Sequence, residues 1–245
     1  MDKLGFQIAC EKIIGVQREK NGIGTLSEKT LHAVLKNYFE PHEDNHEIPV
    51  GGFVADIVNE NGIIEIQTRQ FNKLLRKLEA FLEFCNVTVV YPMPVIKYVR
   101  WLDLETGELS ERRKSPKPAK IYDIFDELYK IKFTLDNPRF RLCICMLEAE
   151  DIRYLNGRSK DRKRGSSRCD RIPIRLIDEI YISSPEDFKI FIPESLPQQF
   201  TSLDYAKHCK ISRNLAQTGL NVLNYLEVVE RTGKSGNTII YRKCL

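Results

Sequence analysis

Apolar positions along the first hundred residues switch between two periods. Leu31, Val34, Leu35 and Tyr38 recur at helical spacing and predict a helix over residues 25–39, with Thr25 and Glu28 spaced as a capping box and Pro41 ending it. Three short segments of strand composition follow at 46–50, 53–58 and 63–67, divided by Gly51-Gly52 and by Asn59-Glu60-Asn61-Gly62. Such punctuation marks hairpin turns, so the segments predict an antiparallel meander. Phe71, Leu74, Leu75, Leu78, Phe81 and Leu82 restore the helical period over 68–84, and 87–91 is an apolar run of strand length. The predicted order is helix, three strands, helix, strand.

Farther on the pattern is less clean. Residues 98–104 have strand character and lead through a turn at 105–108 into a basic stretch, Arg112-Arg113-Lys114-Ser115-Pro116. Residues 121–135 predict a helix, whereas 140–147, rich in apolar residues and Cys, suits either helix or strand. Arg158, Lys160, Arg162, Lys163, Arg164, Arg168, Arg171 and Arg175 stand among few acids between 157 and 175, the composition of a connector or exposed loop. From Phe200 the helical period returns twice, through Leu203, Ala206 and Cys209 and then through Leu215, Leu220, Leu223 and Leu226, before two β-like pieces near Val228-Val229 and 238–242. This layout divides the chain into an α/β domain at 1–155, a basic connector at 156–195 and a small domain at 196–245.

Composition narrows the class. Hydrophobic residues at 42% and charged residues at 29% fit a folded protein and are too apolar for a disordered one. A formal net charge of +4 is too small to imply a polyanionic partner by itself, so the local clusters carry more weight. Seven cysteines without framework spacing, and an N-terminus without a signal-peptide pattern, predict reduced thiols in a cytoplasmic protein. No apolar run reaches bilayer length, so no membrane partner is expected. Cys143 and Cys145 are one residue apart, unlike a zinc ligand pair, and read as buried thiols.

Candidate chemistry concentrates in the second hairpin. Alternation turns Glu65 and Gln67 to one face of their strand. With all four residues 59–62 in the loop, Asp56 lies opposite Glu65; with only Asn61-Gly62 turning, it lies opposite Gln67; both registers gather the three on one face. Two carboxylates aimed at one spot repel, and a cation relieves the conflict. Mg²⁺, with Mn²⁺ as a substitute, suits two carboxylates and a backbone carbonyl such as that of Ile66.

Asp56, eight residues, then Glu65-Ile66-Gln67, set between two helices in this order, resembles the motif of the PD-(D/E)XK, or restriction-endonuclease-like, nucleases over roughly residues 25–91. The resemblance implies a restriction-endonuclease-like α/β core and a metal-dependent DNA endonuclease. Asp56 and Glu65 would then be metal ligands, Glu28 an auxiliary carboxylate on the first helix, and Gln67 the group that orients water or phosphate. The motif's usual residue at that last position is Lys, and Gln cannot do acid–base work. Lys73 and Lys36 are the lysines expected within reach, and His32, one turn from Glu28, is a candidate neighbour of the site. Among the acids and histidines of 42–47, Glu47 is the one at a strand start.

The C-terminal pattern of helix, short break, longer helix and β-hairpin resembles a winged helix. That resemblance implies a second helix presenting Arg213, Asn214, Gln217 and also Asn221 to a major groove, with Lys234 in the wing meeting a phosphate. Together with Arg162, Lys163 and Arg164, these are the expected nucleic-acid contacts. DNA is the expected partner, with RNA and a homodimer left open. Two other readings stand beside the enzyme: a noncatalytic DNA-binding protein with a degenerate core, and a protein-interaction module. Gly233-Lys234-Ser235 lacks the preceding glycine of a phosphate-binding P-loop, so no nucleotide site is expected there.

Overall fold

A seven-stranded mixed sheet carries the fold, and a three-stranded sheet closes its C-terminal end. The computed structural model describes residues 1–20, 30–154 and 167–244, and within them the chain is mixed α/β. Helices α1 (Lys3–Lys20) and α2 (Thr30–Phe39) precede strands β1 (His46–Val50), β2 (Phe53–Asn59) and β3 (Gly62–Ile66). Helix α3 (Leu75–Leu82) leads into β4 (Val87–Leu102), which a short β5 (Arg113–Lys114) joins. The one-turn α4 (Phe125–Leu128) precedes the long strands β6 (Phe140–Tyr154) and β7 (Ser167–Ile182). Last come β8 (Gln199–Thr201), α5 (Ser202–Cys209), α6 (Arg213–Tyr225), β9 (Val229–Ser235) and β10 (Thr238–Lys243).

Strand order in the large sheet is β1-β2-β3-β4-β6-β7, with β5 beside β4. The first three strands form the antiparallel meander; β3, β4 and β6 run parallel, and β7 returns antiparallel. Parallel pairing of β3 with β4 requires a crossover, which α3 supplies. Cores lie on both faces. Phe6, Leu31, Val34 and Leu35 of α1 and α2 pack on Ile57, Ile66, Val90, Cys143 and Cys145. On the other, Leu78 and Phe81 of α3 pack with Val87, Val89, Leu142 and Ile144. That second cluster runs on without a break into Phe125, Phe191, Tyr205, Leu220 and Leu223, so the C-terminal elements share the core of the sheet. At the junction Gly219 admits Phe125, whose ring lies 2.6 Å from where a Cβ would stand.

Several elements differ from the sequence expectation or decide what it left open, and the helix expected over 121–135 is 3-10 at Ile121–Ile124, one α turn at Phe125–Leu128 and 3-10 again at Tyr129–Thr134. Helix α1 was not expected; it buries chiefly Phe6, Ala9 and Cys10, too few positions to write a broad apolar stripe. The expected strands 87–91 and 98–104 are one 16-residue β4 despite Pro92 and Pro94. Pro92 and Pro94 keep their register against Cys145 and Leu147, and the strand bulges just after them, at Val95, before pairing resumes at Ile96. The ambiguous 140–147 is strand and continues to Tyr154. The basic segment from Ser167 onward is no connector: it is β7, paired along its length with β6, its alternation hidden by arginines. Residues 25–29, with the capping box and Glu28, and 157–166, with Arg162, Lys163 and Arg164, lie outside the described residues. Among the described residues no helix is long and apolar enough to cross a membrane.

One glycine fixes the hairpin that carries the carboxylates. Gly62 has φ +118°, and a Cβ there would lie 2.3 Å from the carbonyl oxygen of Asn86, which accepts the Ile63 amide at 2.9 Å. Gly62→Ala should therefore destabilise the protein by about 2–3 kcal/mol. Urea unfolding measures this, and a midpoint equal to wild type would contradict the geometry.

Candidate active site

The β2–β3 ladder pairs Asn59 with Gly62, Val58 with Ile63 and Ile57 with Ile64, and there it stops. Continued one step, this register sets Asp56 against Glu65, the first of the two alternatives, around a two-residue turn. Where the strands part, side chains replace the missing ladder acceptors. The Asp56 amide donates to Glu65 Oε1 at 3.3 Å, and the Ile66 amide donates to Asp56 Oδ2 at 2.8 Å. Each carboxylate is thus tied to the other's strand by a backbone N–H, which fixes both without either rotating freely.

Helices on the two faces of the sheet complete the site. From α2, His32 Nε2 lies 3.2 Å from Asp56 Oδ2. From α3, the Lys77 ammonium donates to Glu65 Oε2 at 2.6 Å. Glu65 is 3% exposed and the Lys77 side chain 17%, so the pair is screened little by water. Burial penalises the Asp56 carboxylate, but the His32 hydrogen bond and charge, the Ile66 amide and the Lys77 charge outweigh it and hold the group below the ordinary carboxylate range. Glu65 goes the other way, pushed up to about 7 by burial and then by the Asp56 charge, with Lys77 offsetting part of the rise. The two neighbouring carboxyls thus have their pKa values driven in opposite directions.

Not every expected residue converges here. Gln67 lies one position beyond the end of β3, its backbone amide still bonded to the Val90 carbonyl at 2.9 Å, and its Nε2 donates to the Arg69 carbonyl at 2.6 Å. That bond ties its amide donor to the backbone two residues on. Lys73 is exposed, and Lys36 pairs with Glu47 at 2.9 Å. The lysine that reaches the carboxylates is Lys77, and a signal for it exists in the sequence. With Leu74, Leu78 and Phe81 it completes an i, i+3, i+4, i+7 set, so it is a charge on the buried stripe of α3 that requires a partner. Asn221 is also engaged within the chain, accepting from Lys132 Nζ at 2.9 Å. Arg213, Asn214 and Gln217 are exposed on α6, and Lys234 is exposed in the β9–β10 hairpin.

The donors suit a hard divalent cation: oxygens from two carboxylates whose mutual repulsion an ion would relieve. Among the described residues no group of three His, Cys, Asp or Glu side chains is arranged to share an ion. Two protein carboxylates match the habit of Mg²⁺, which keeps several waters and takes substrate oxygens.

Because the Asp56 charge is one cause of the raised Glu65 pKa, Asp56→Asn should bring the Glu65 titration down toward the ordinary carboxylate value. The sign carries into stability. With the folded value near 7, the folded protein keeps a proton that the unfolded chain loses above about 4.5. Glu65 therefore costs nothing at lower pH, progressively more through that window, and its full amount above 7. Carboxyl-carbon NMR titration checks the shift, and an unchanged or higher Glu65 midpoint in Asp56→Asn would contradict it.

Residues 29–183 match a family model described as domain of unknown function DUF8091. The matched segment includes α2, the whole large sheet, His32, Asp56, Glu65 and Lys77. An uncharacterized protein of Treponema pallidum (strain Nichols) is 33% identical over 232 residues, covering 90% of this chain and 87% of that relative. No solved structure matches. On both the family match and the extent of the relative's similarity, the chain belongs to the DUF8091 family.

Proposed function

We propose that the protein is a Mg²⁺-dependent nuclease of restriction-endonuclease-like fold that cuts the phosphodiester backbone of DNA. The observation that carries this reading is the convergence of Asp56, Glu65 and Lys77 where β2 and β3 part, with a buried ammonium 2.6 Å from one carboxylate. The order α2-β1-β2-β3-α3-β4, with the meander antiparallel and β3 parallel to β4, supports it. At the other end, α5, α6 and the β9–β10 hairpin support a winged helix whose exposed Arg213, Asn214, Gln217 and Lys234 face DNA.

In this mechanism Asp56 and Glu65 would hold the ion, with the Ile66 carbonyl as a third oxygen. When bound, the ion supplies Lewis-acid stabilisation of the charge that develops on the phosphate oxygens. Lys77 takes the part that the motif gives to the lysine two residues after Glu65: its ammonium, anchored on Glu65 Oε2, orients the attacking water and offsets negative charge on the phosphoryl oxygens. Lys77 approaches from the helix, so Gln67 has no acid–base part to play. His32 holds Asp56 in its ionised form and fixes its rotamer. Glu65, poised near neutrality, must lose its proton for the ion to be held, so activity should rise with pH through about 7.

A second reading, a noncatalytic DNA-binding protein, is favoured by one observation: His32 and Lys77 already satisfy both carboxylates without an ion. Cleavage separates the two. Supercoiled plasmid incubated with Mg²⁺ or Mn²⁺ should be nicked by the wild type. Asp56→Ala and Glu65→Ala should lose about a thousandfold in rate, Lys77→Met about a hundredfold, and Gln67→Ala less than tenfold. A wild type inert with both ions, or a Lys77→Met variant as active as wild type, would overturn the catalytic reading.

A further inference from the structure

Beyond its pairing with β3, β4 runs on toward the C-terminal elements, and the surface it meets there is basic. A cavity of about 570 Å³ lies between the outer part of β4, the segment around Lys117 and the start of α6. Lys97, Lys117, Lys120 and Lys210 line it, against one acid, Asp123. Asp123 is itself engaged, accepting the Lys120 amide at 2.9 Å, and the Lys120 ammonium donates to the Lys210 carbonyl. Ser212 caps α6 at the same edge, accepting the Leu215 amide at 3.2 Å, so the positive end of a 13-residue helix adds to the lysines.

Lys97 also joins this cavity to a second group of cations. Cross-strand pairs set Val99 beside Asp151 and Asp151 beside Arg171, then Trp101 beside Arg153 and Arg153 beside Arg168. Lys97, two residues before Val99, shares their face. Asp151 is the one acid among them, and Arg171 holds it through two bonds at 2.5 and 3.1 Å. Arg153 Nε is buried with no hydrogen-bond partner among the described residues. Burial, with the charges of Arg171, Arg153 and Arg168 against the pull of Asp151, holds Lys97 below the ordinary lysine range. Cations this crowded, with an orphaned donor among them, are relieved by an anion of extended, repeating charge rather than by a single small ion.

We propose that this groove, with Lys97, Lys117, Lys120 and Lys210 as its contacts and the Arg153–Arg168–Arg171 row as its continuation, binds the phosphodiester backbone of nucleic acid. The choice of a phosphodiester over an acidic protein segment rests on the reading of Asp56 and Glu65 as a phosphodiester-cleaving pair. Geometry links the two. Val89 pairs with Glu65 and Val99 with Asp151, so β4 spans from the carboxylates to the basic row in at most about 33 Å. One bound duplex could reach both, held by the groove away from the bond being cut.

Equilibrium binding of a fluorescent duplex, measured by anisotropy in EDTA across a KCl series, tests the groove without cleavage. The wild type should bind with a steep salt dependence. Lys117→Gln with Lys210→Asn removes two exposed charges while keeping a residue tolerant of the left-handed conformation at 210 (φ +53°). That double variant should flatten the slope of log affinity against log salt by about 2, and adding Lys97→Gln should take the loss to about 3. Far-UV circular dichroism establishes that each variant is folded. An unchanged slope in the folded double variant, or polyglutamate competing as well as DNA at equal charge, would overturn the proposal. The failure of the catalytic reading is distinguishable: a wild type that binds with the steep slope and loses it in the variants, yet cuts nothing with Mg²⁺ or Mn²⁺, leaves the groove standing alone.

Discussion

The parting of β2 and β3 is the constraint on which the site depends. Below Ile57 and Ile64 the strands bond backbone to backbone; above them the Asp56 and Ile66 amides find carboxylate oxygens instead. An unpaired buried amide costs roughly 1–3 kcal/mol, so these two bonds both end the ladder and hold the acids. The cost appears as electrostatics. Two carboxylates pinned by the backbone cannot separate to relieve their repulsion, and the protein answers with His32 on one side and Lys77 on the other. The opposite pKa displacements of Asp56 and Glu65 are the result of this unequal relief.

The same sheet organises the rest of the chain. α2 and α3 bring His32 and Lys77 from opposite faces because each buries an apolar stripe against its own side of the strands. Even the start of the helical segment that carries Lys77 is fixed from below, where the Phe71 amide donates to Glu127 at 2.8 Å. Glu127 belongs to α4, which packs under α6, so the C-terminal elements and the carboxylate pair are two ends of one packed body. A ligand bound across both would meet a fixed spacing rather than a hinged one.

Much of this was legible in the sequence. Gly51-Gly52 and the polar loop before Ile63 marked the meander, the stripe from Phe71 to Leu82 marked α3, and the spacing of Leu215, Leu220 and Leu223 marked α6, because each rests on local chemistry. Alternation put Asp56, Glu65 and Gln67 on one face but left open whether Asp56 stands opposite Glu65 or Gln67, which the pairing of Asn59 with Gly62 decides. What was not legible depended on long-range pairing. β4 runs on through two prolines and a bulge at Val95 because β6 pairs with it on both sides of that bulge, and β7 reads as a basic connector until its partner strand is known. Gln67 shows the limit of alternation, which gives a residue a face but not a partner, here the Arg69 carbonyl. Lys77 stands outside the motif altogether: the cation of the site comes from the apolar face of the next helix.

The divalent cation proposed between Asp56 and Glu65 is open to direct test, because crystals soaked in Mn²⁺ locate the metal by its anomalous scattering. One strong peak should lie within about 2.5 Å of oxygens from both Asp56 and Glu65, absent from Asp56→Asn crystals grown the same way. A peak only elsewhere, with Lys77 still bonded to Glu65 and the two carboxylates too far apart to share an ion, would contradict it.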